Sequence, residues 1–147
     1  LRAISVGAIP RAITKAERYR LLNEPRAAES ICRDVLSAAP THDQALRVLL
    51  LALTDQFRGV NLRPDEAKQL AAKLSDEYSR HYYEGVILER WAKALMDAGY
   101  HGHTLYDRFS EALDAYERPA PLAPPGKQAH TLRRSPTGRT LKSTAPA

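Results

Sequence analysis

Two short runs of small and aromatic residues constrain this chain more than anything else in it. They are Ala16-x2-Tyr19 and, beginning nine residues after Tyr19, Ala28-x3-Cys32-x2-Val35-x4-Pro40. Residues three and four apart share one face of a helix. Ala16 and Ala28 therefore fall where two neighbouring helices touch and no larger side chain fits. Tyr19, Cys32 and Val35 fill the space around that contact. Pro40 stops the second helix, because its ring and missing N–H are incompatible with a helix interior. Asn23-Glu24-Pro25 breaks the chain between the two runs. The spacing predicts a close-packed helical hairpin, and with it an all-α chain.

Apolar periodicity and stop signals extend this to six predicted helices. The first covers about Pro10–Leu22 and the second Pro25–Ala38, with Ala28, Ile31, Cys32 and Val35 on one face. The third covers His42–Phe57, with Thr41-x2-Gln44 as its expected capping box and Leu46, Leu49, Leu50 and Leu53 as its stripe. Gly59-Val60-Asn61 reads as a loop. The fourth helix covers Pro64–Leu74, and a longer fifth covers Asp76–Ala98 and ends at Gly99. The sixth covers Thr104–Glu117. Tyr78, Tyr82, Tyr83 and Trp91 are expected to pack the fifth helix onto the fourth and sixth.

The six helices form three pairs. Shifting the first by 34 places Ala12, Lys15, Ala16 and Tyr19 on Leu46, Leu49, Leu50 and Leu53. Shifting the second by 39 places Pro25, Ala28, Ile31, Cys32 and Val35 on Pro64, Ala67, Leu70, Ala71 and Leu74. The difference, 39 − 34 = 5, is an insertion between the helices of the second pair. The third pair offers Trp91-x2-Ala94-Leu95-x2-Ala98 and Phe109-x2-Ala112-x3-Tyr116-x7-Pro124.

At these residues the chain resembles the tetratricopeptide repeat, a helical-pair unit of about 34 residues. The resemblance spans residues 10–124 and has departures. Lys15 stands where a Leu is usual, Pro119 where a small residue is usual, and the second pair lacks the small residues of its first helix. It implies a right-handed array of about three degenerate hairpins, a TPR-like α-solenoid, flanked by an N-terminal extension (1–9) and a disordered Pro/Arg-containing tail (125–147). It implies an interaction scaffold rather than a catalyst, binding a protein or peptide in the concave groove lined by the first helix of each pair. The groove positions become Ile13, Glu17, Arg20 and Leu21 in the first pair, and Gln44, Arg47, Leu51 and Asp55 in the second. In the third they become Glu89, Ala92, Met96 and Tyr100. Family members that clamp the C-terminal carboxylate of heat-shock chaperones need Lys and Asn at positions held here by Ile13, Glu17 and Leu51, so that specialisation is not expected. A terminal repeat exposes an apolar face unless something covers it, which leaves self-association through the last pair open.

Charge and composition exclude other classes. The formal +5 resides in the tail: residues 1–118 hold 17 Lys+Arg and 17 Asp+Glu, while 119–147 hold Lys127, Arg133, Arg134, Arg139 and Lys142 and no acid. A nucleic-acid-binding domain carries its basic patch on the folded body, so nucleic acid is an unlikely partner, reached if at all through the basic tail. A single cysteine precludes an internal disulfide, and the expected setting is a reducing cytoplasm. The 147 residues, 44% hydrophobic, suit one compact domain, of the size of a small bacterial adaptor. Val48–Leu53, the longest strongly apolar run, is far short of the ~18 residues that span a bilayer, and Leu1–Ile9 is too weakly apolar for a signal-peptide core. No membrane association is expected.

Catalytic and metal chemistry find little support. Cys32 lies on an apolar helix face, where a thiol acts as a small hydrophobe. His101 and His103, with Asp97 and Asp107 near them, match no zinc spacing. Asp65-Glu66 and Asp76-Glu77 open helices, where the dipole favours acids. No enzyme activity, metal or cofactor is expected.

Overall fold

The computed structural model describes residues 4–58 and 62–118. These are all-helical: a short 3-10 turn at Val6–Ala8, then α1 (Ile9–Leu21), α2 (Pro25–Ala38), α3 (Asp43–Thr54), α4 (Pro64–Ala72), α5 (Glu77–Asp97) and α6 (His103–Glu117). The predicted Gly59-Val60-Asn61 loop, the start of the N-terminal extension and everything from Pro119 onward, including the tail, lie outside the described residues.

Local chemistry explains the boundaries. Proline occupies the opening turn of α1, α2 and α4, where its missing N–H leaves no bond unmade. The turns after α1 and α5 use one device. Asn23 (φ 62°) and Gly99 (φ 97°) adopt the left-handed conformation, and the following N–H reaches back five residues: Glu24 to Tyr19 at 2.8 Å and Tyr100 to Leu95 at 3.0 Å. Such a bond satisfies a carbonyl that the helix end would otherwise leave orphaned. At α5, Asp76 caps by accepting the Ser79 N–H at 2.8 Å.

Two expectations need correction. The cap of α3 is not the Thr41–Gln44 box: His42 Nδ1 accepts the Ala45 N–H at 3.3 Å. The Gln44 amide is occupied elsewhere, donating to Glu17 and accepting from Arg47, so it is not free to reach back over the helix start. Second, α3 stops at Thr54 and α4 at Ala72, short of the expected Phe57 and Leu74. Both apolar residues are buried nonetheless, in the turns that follow, so periodicity located the core more faithfully than the helix ends.

Each helix packs on the next in sequence, and in addition α1 packs on α3 and α3 on α5. Helix α3 is the axle. Leu46, Leu49, Leu50 and Leu53 are sealed from solvent, and the main core runs from Ile9 and Ile13 through them to Ala67, Leu70, Leu74 and Ile87. Ala16 and Ala28 are fully buried, as expected of close-approach positions. Tyr83 and Trp91 pack against this core, while Tyr82 meets Tyr83 edge-on (5.1 Å) and Tyr116 of α6 at 5.8 Å. A smaller cluster of Leu88, Ala112 and Ala115, joined to the first by Trp91, holds α6 to α5. Gly85 permits that approach: a Cβ there would lie 2.6 Å from the Tyr116 ring.

Candidate functional site

The three helices that contact one another at alternate positions, α1, α3 and α5, meet at a single carboxylate. Asp55 directly follows α3 and accepts from Arg20 of α1 through both oxygens, Nε to Oδ2 at 2.6 Å and Nη2 to Oδ1 at 3.1 Å. Arg90 of α5 donates its Nη1 to Oδ1 at 2.9 Å. Asp55 lies 35 residues from each of its two partners in sequence, so the node ties α1 and α5 to the end of α3. A forked guanidinium–carboxylate pair is among the stronger polar contacts. The Asp55 side chain is only 19% exposed, which limits screening by water.

Around this node lies an open hollow of about 630 Å³. Its walls carry Arg20, Leu21, Asn23, Asp55 and Arg58 from the α1 and α3 ends, and Tyr82, Val86, Glu89, Arg90, Lys93 and Asp97 from α5, with Tyr116 from α6. Glu89 accepts from Tyr116 at 2.9 Å and pairs with Lys93 at 3.1 Å. Burial by itself would raise the Glu89 carboxyl, but these partners outweigh it and hold it below the usual carboxylate range. Arg58 is exposed and pairs with no carboxylate among the described residues. Leu21, 88% exposed, is the most exposed large apolar side chain described.

A second polar cluster links α1 and α3. Glu17 accepts from Gln44 at 2.9 Å, and Gln44 accepts from Arg47 at 2.8 Å. Tyr83 senses both clusters: burial pushes its phenol up, and the charges of Arg47 and Arg20 work against that. The predicted groove residues thus divide. Glu17, Gln44 and Arg47 stand in one cluster, and Arg20, Asp55 and Glu89 around the hollow. Met96 (50% exposed) and Tyr100 (54%) sit at and beyond the end of α5. Leu51 is half-buried against the core, and Ile13 and Ala92 are buried outright. Ile13 and Ala92 offer a partner no surface, because their helices turn those positions inward. Arg90 and Lys93 escaped the sequence reading, and Tyr82 and Tyr116 entered it as packing and motif residues rather than as parts of the groove. Arg90 gave no local signal, because its partner Asp55 lies 35 residues away and the pairing depends on how α5 packs on α3.

A further charge network is structural. Glu29, 15% exposed, accepts from Arg33, Arg63 and Gln56 at 2.8–3.2 Å, and Arg33 also holds Glu66 at 2.7 Å. The network joins α2 to α4 and to the turn after α3. Desolvation would raise the Glu29 carboxyl, yet the three donors hold it down at about 2. Cys32 is fully buried, and its thiol is pushed up to about 12 by that burial, with the charge of Glu17 adding to it. The thiolate that nucleophilic or metal chemistry requires is disfavoured there. His101 and His103 are exposed, and among the described residues no three metal-ligating side chains converge. No described helix is long and apolar enough to cross a membrane.

Compared with family models, with curated proteins and with solved structures, the chain finds no match in any of the three.

Proposed function

We propose that this chain is a protein-interaction scaffold: a right-handed, TPR-like array of three helical pairs that binds a peptide segment or partner subunit across the face shared by α1, α3 and α5. The observation that carries the reading is the Arg20–Asp55–Arg90 node, in which α1, the end of α3 and α5 meet beside an open hollow. A repeat array aligns its first helices along one face, and the contacts of α1 with α3 and of α3 with α5 are what such an alignment requires. The hollow mixes cations, anions, two tyrosines and an exposed leucine. Such a lining suits a peptide, with polar groups setting register and apolar ones supplying affinity. A phosphate backbone calls for a cationic surface instead, and residues 1–118 are neutral in sum. The proposed setting is the cytoplasm, where the single buried thiol stays reduced.

The test is a selection of random peptides on the full chain, followed by titration of recovered peptides against wild type and the pair Leu21→Asp plus Arg58→Glu. Both residues are exposed and line the hollow, so circular dichroism should be unchanged. A loss of about tenfold or more in affinity is expected, the scale of a binding hot spot. Recovered peptides that bind the double variant as tightly as wild type would remove the hollow as the working surface.

A further inference from the structure

Helix α6 is used on one side only. Ala112 and Ala115 are buried against α5, Arg108 lies over the Trp91 ring at 4.9 Å, and Tyr116 reaches across to Glu89. The other side carries Tyr106, 70% exposed, and Leu113, 58% exposed, with half-buried Phe109 between them. Positions i, i+3 and i+7 of a helix form one stripe. The stripe is therefore apolar, and Tyr106 and Leu113 stand largely clear of every described residue, with Phe109 partly covered between them. Along its flank run Asp107, Asp114 and Glu117, all exposed. Asp107 and Glu117 pair with no cation among the described residues, and Asp114 shares the field of Arg118, which Glu84 already holds at 2.8 Å.

We propose that this stripe docks an amphipathic helix from another polypeptide. That helix presents apolar residues at helical spacing toward Tyr106, Phe109 and Leu113, and lysines or arginines toward Asp107, Asp114 and Glu117. The surface itself selects this occupant. A helix flank has no free backbone donors or acceptors to pair with a strand, so side-chain ridges do the matching, and ridges pack best into the grooves of another helix. A second copy of α6 would bring the same acidic flank to a flank already acidic. The chain's own residues 127–147 bring the right charge but no stripe: Leu132 and Leu141 are their only bulky apolar residues, with Pro136 and Gly138 between them. The inference stands apart from the peptide-binding hollow and survives its failure.

Two synthetic helical peptides of the 15-residue length of α6, identical in their leucine stripe, test it, one with a lysine flank and one with a glutamate flank. Each is titrated by fluorescence anisotropy against the full chain, against Leu113→Asp and against Asp107→Lys plus Asp114→Lys. Tyr106→Ser is the second stripe variant should Leu113→Asp lose its helical signal. The lysine peptide is expected to bind the wild type in preference to the glutamate peptide. Loss of the leucine contact should weaken it about tenfold or more, and charge reversal should transfer the preference to the glutamate peptide. Equal binding of the lysine peptide to wild type and both stripe variants overturns the proposal, as does a preference that ignores the charge reversal. A wild-type dimer that Leu113→Asp splits in sedimentation would make a second copy the occupant and overturn it. So would a gain of about tenfold in peptide affinity on Arg133→Gln, Arg134→Gln and Arg139→Gln together, which would make the tail the occupant.

Discussion

Single residues in this molecule show how burial and partners together set chemistry. Glu29 is a carboxylate that burial alone would neutralise, kept ionised by Arg63, Gln56 and Arg33 and held at about 2 against a reference of 4.5. Because its folded value is depressed, its contribution is fully present above about pH 4.5 and is lost as pH falls toward 2. Stability measured by urea unfolding should decline over that window. Glu29→Gln should be less stable by about 1–2 kcal/mol at neutral pH, after allowance for solvent screening, and the two proteins should converge at the acid end. Equal slopes for both would mean that Glu29 is not the group responsible. Cys32 illustrates the opposite balance: burial, with the charge of Glu17, outweighs the charges of Arg20 and Arg33, and its thiol rises to about 12. An aromatic disulfide reagent should therefore label it no faster than the chain globally unfolds, and a rapid native-state reaction would contradict its burial. The burial of Cys32 was legible in the sequence, on the apolar face of its helix; the balance at Glu29 was not, since it is one of 17 acids and gains its three donors only when α2, α4 and the turn after α3 converge.

At the scale of elements, the approach of α6 to α5 depends on one glycine. A glycine inside a helix costs about 1 kcal/mol relative to alanine, so Gly85 in the middle of α5 looks like a defect. Its neighbour explains it, since the Tyr116 ring occupies the space a Cβ would take. Gly85→Ala should gain the propensity but push Tyr116 away from Glu89, with overpacking of about 1–3 kcal/mol making the net effect destabilising. The pairing can be isolated in a cycle. Added to Tyr116→Ala, which empties the space, Gly85→Ala should stabilise by about 1 kcal/mol. If the alanine destabilised both backgrounds equally, the contact with Tyr116 would not be the cause. Elements also show where local rules reach their limit. Proline at helix starts and left-handed Asn23 and Gly99 at helix ends follow from local sequence, whereas the cap of α3 passed to His42 because Glu17, from another helix, took the side chain of Gln44.

Across the whole molecule, burial falls from the centre to the C-terminal helix. Helix α3 buries eight residues and α6 only Ala112 and Ala115, and α6 packs mainly on α5. Native-state hydrogen exchange should accordingly be slowest in α3, near the global unfolding limit, and fastest among the helices in α6, which opens locally. Equal protection of the two would show that α6 is held by more than its contacts with α5. By itself the sequence determined the all-helical class, the number and order of helices, the small contact positions Ala16 and Ala28 and the leucine stripe of α3. All of these follow from helical periodicity and turn chemistry, which act between residues a few positions apart. Arg20, Asp55 and Glu89, assigned to one face by resemblance alone, line the same hollow. The tertiary structure alone decided what those charges do. It joined Arg20 and Arg90 to Asp55, buried Ile13 and Ala92 beneath the face they were expected to line, and left Tyr106 and Leu113 without cover. Those outcomes depend on the register and crossing of helices some 35 residues apart and on which side chains water can still reach, and the local spacing of residues encodes neither.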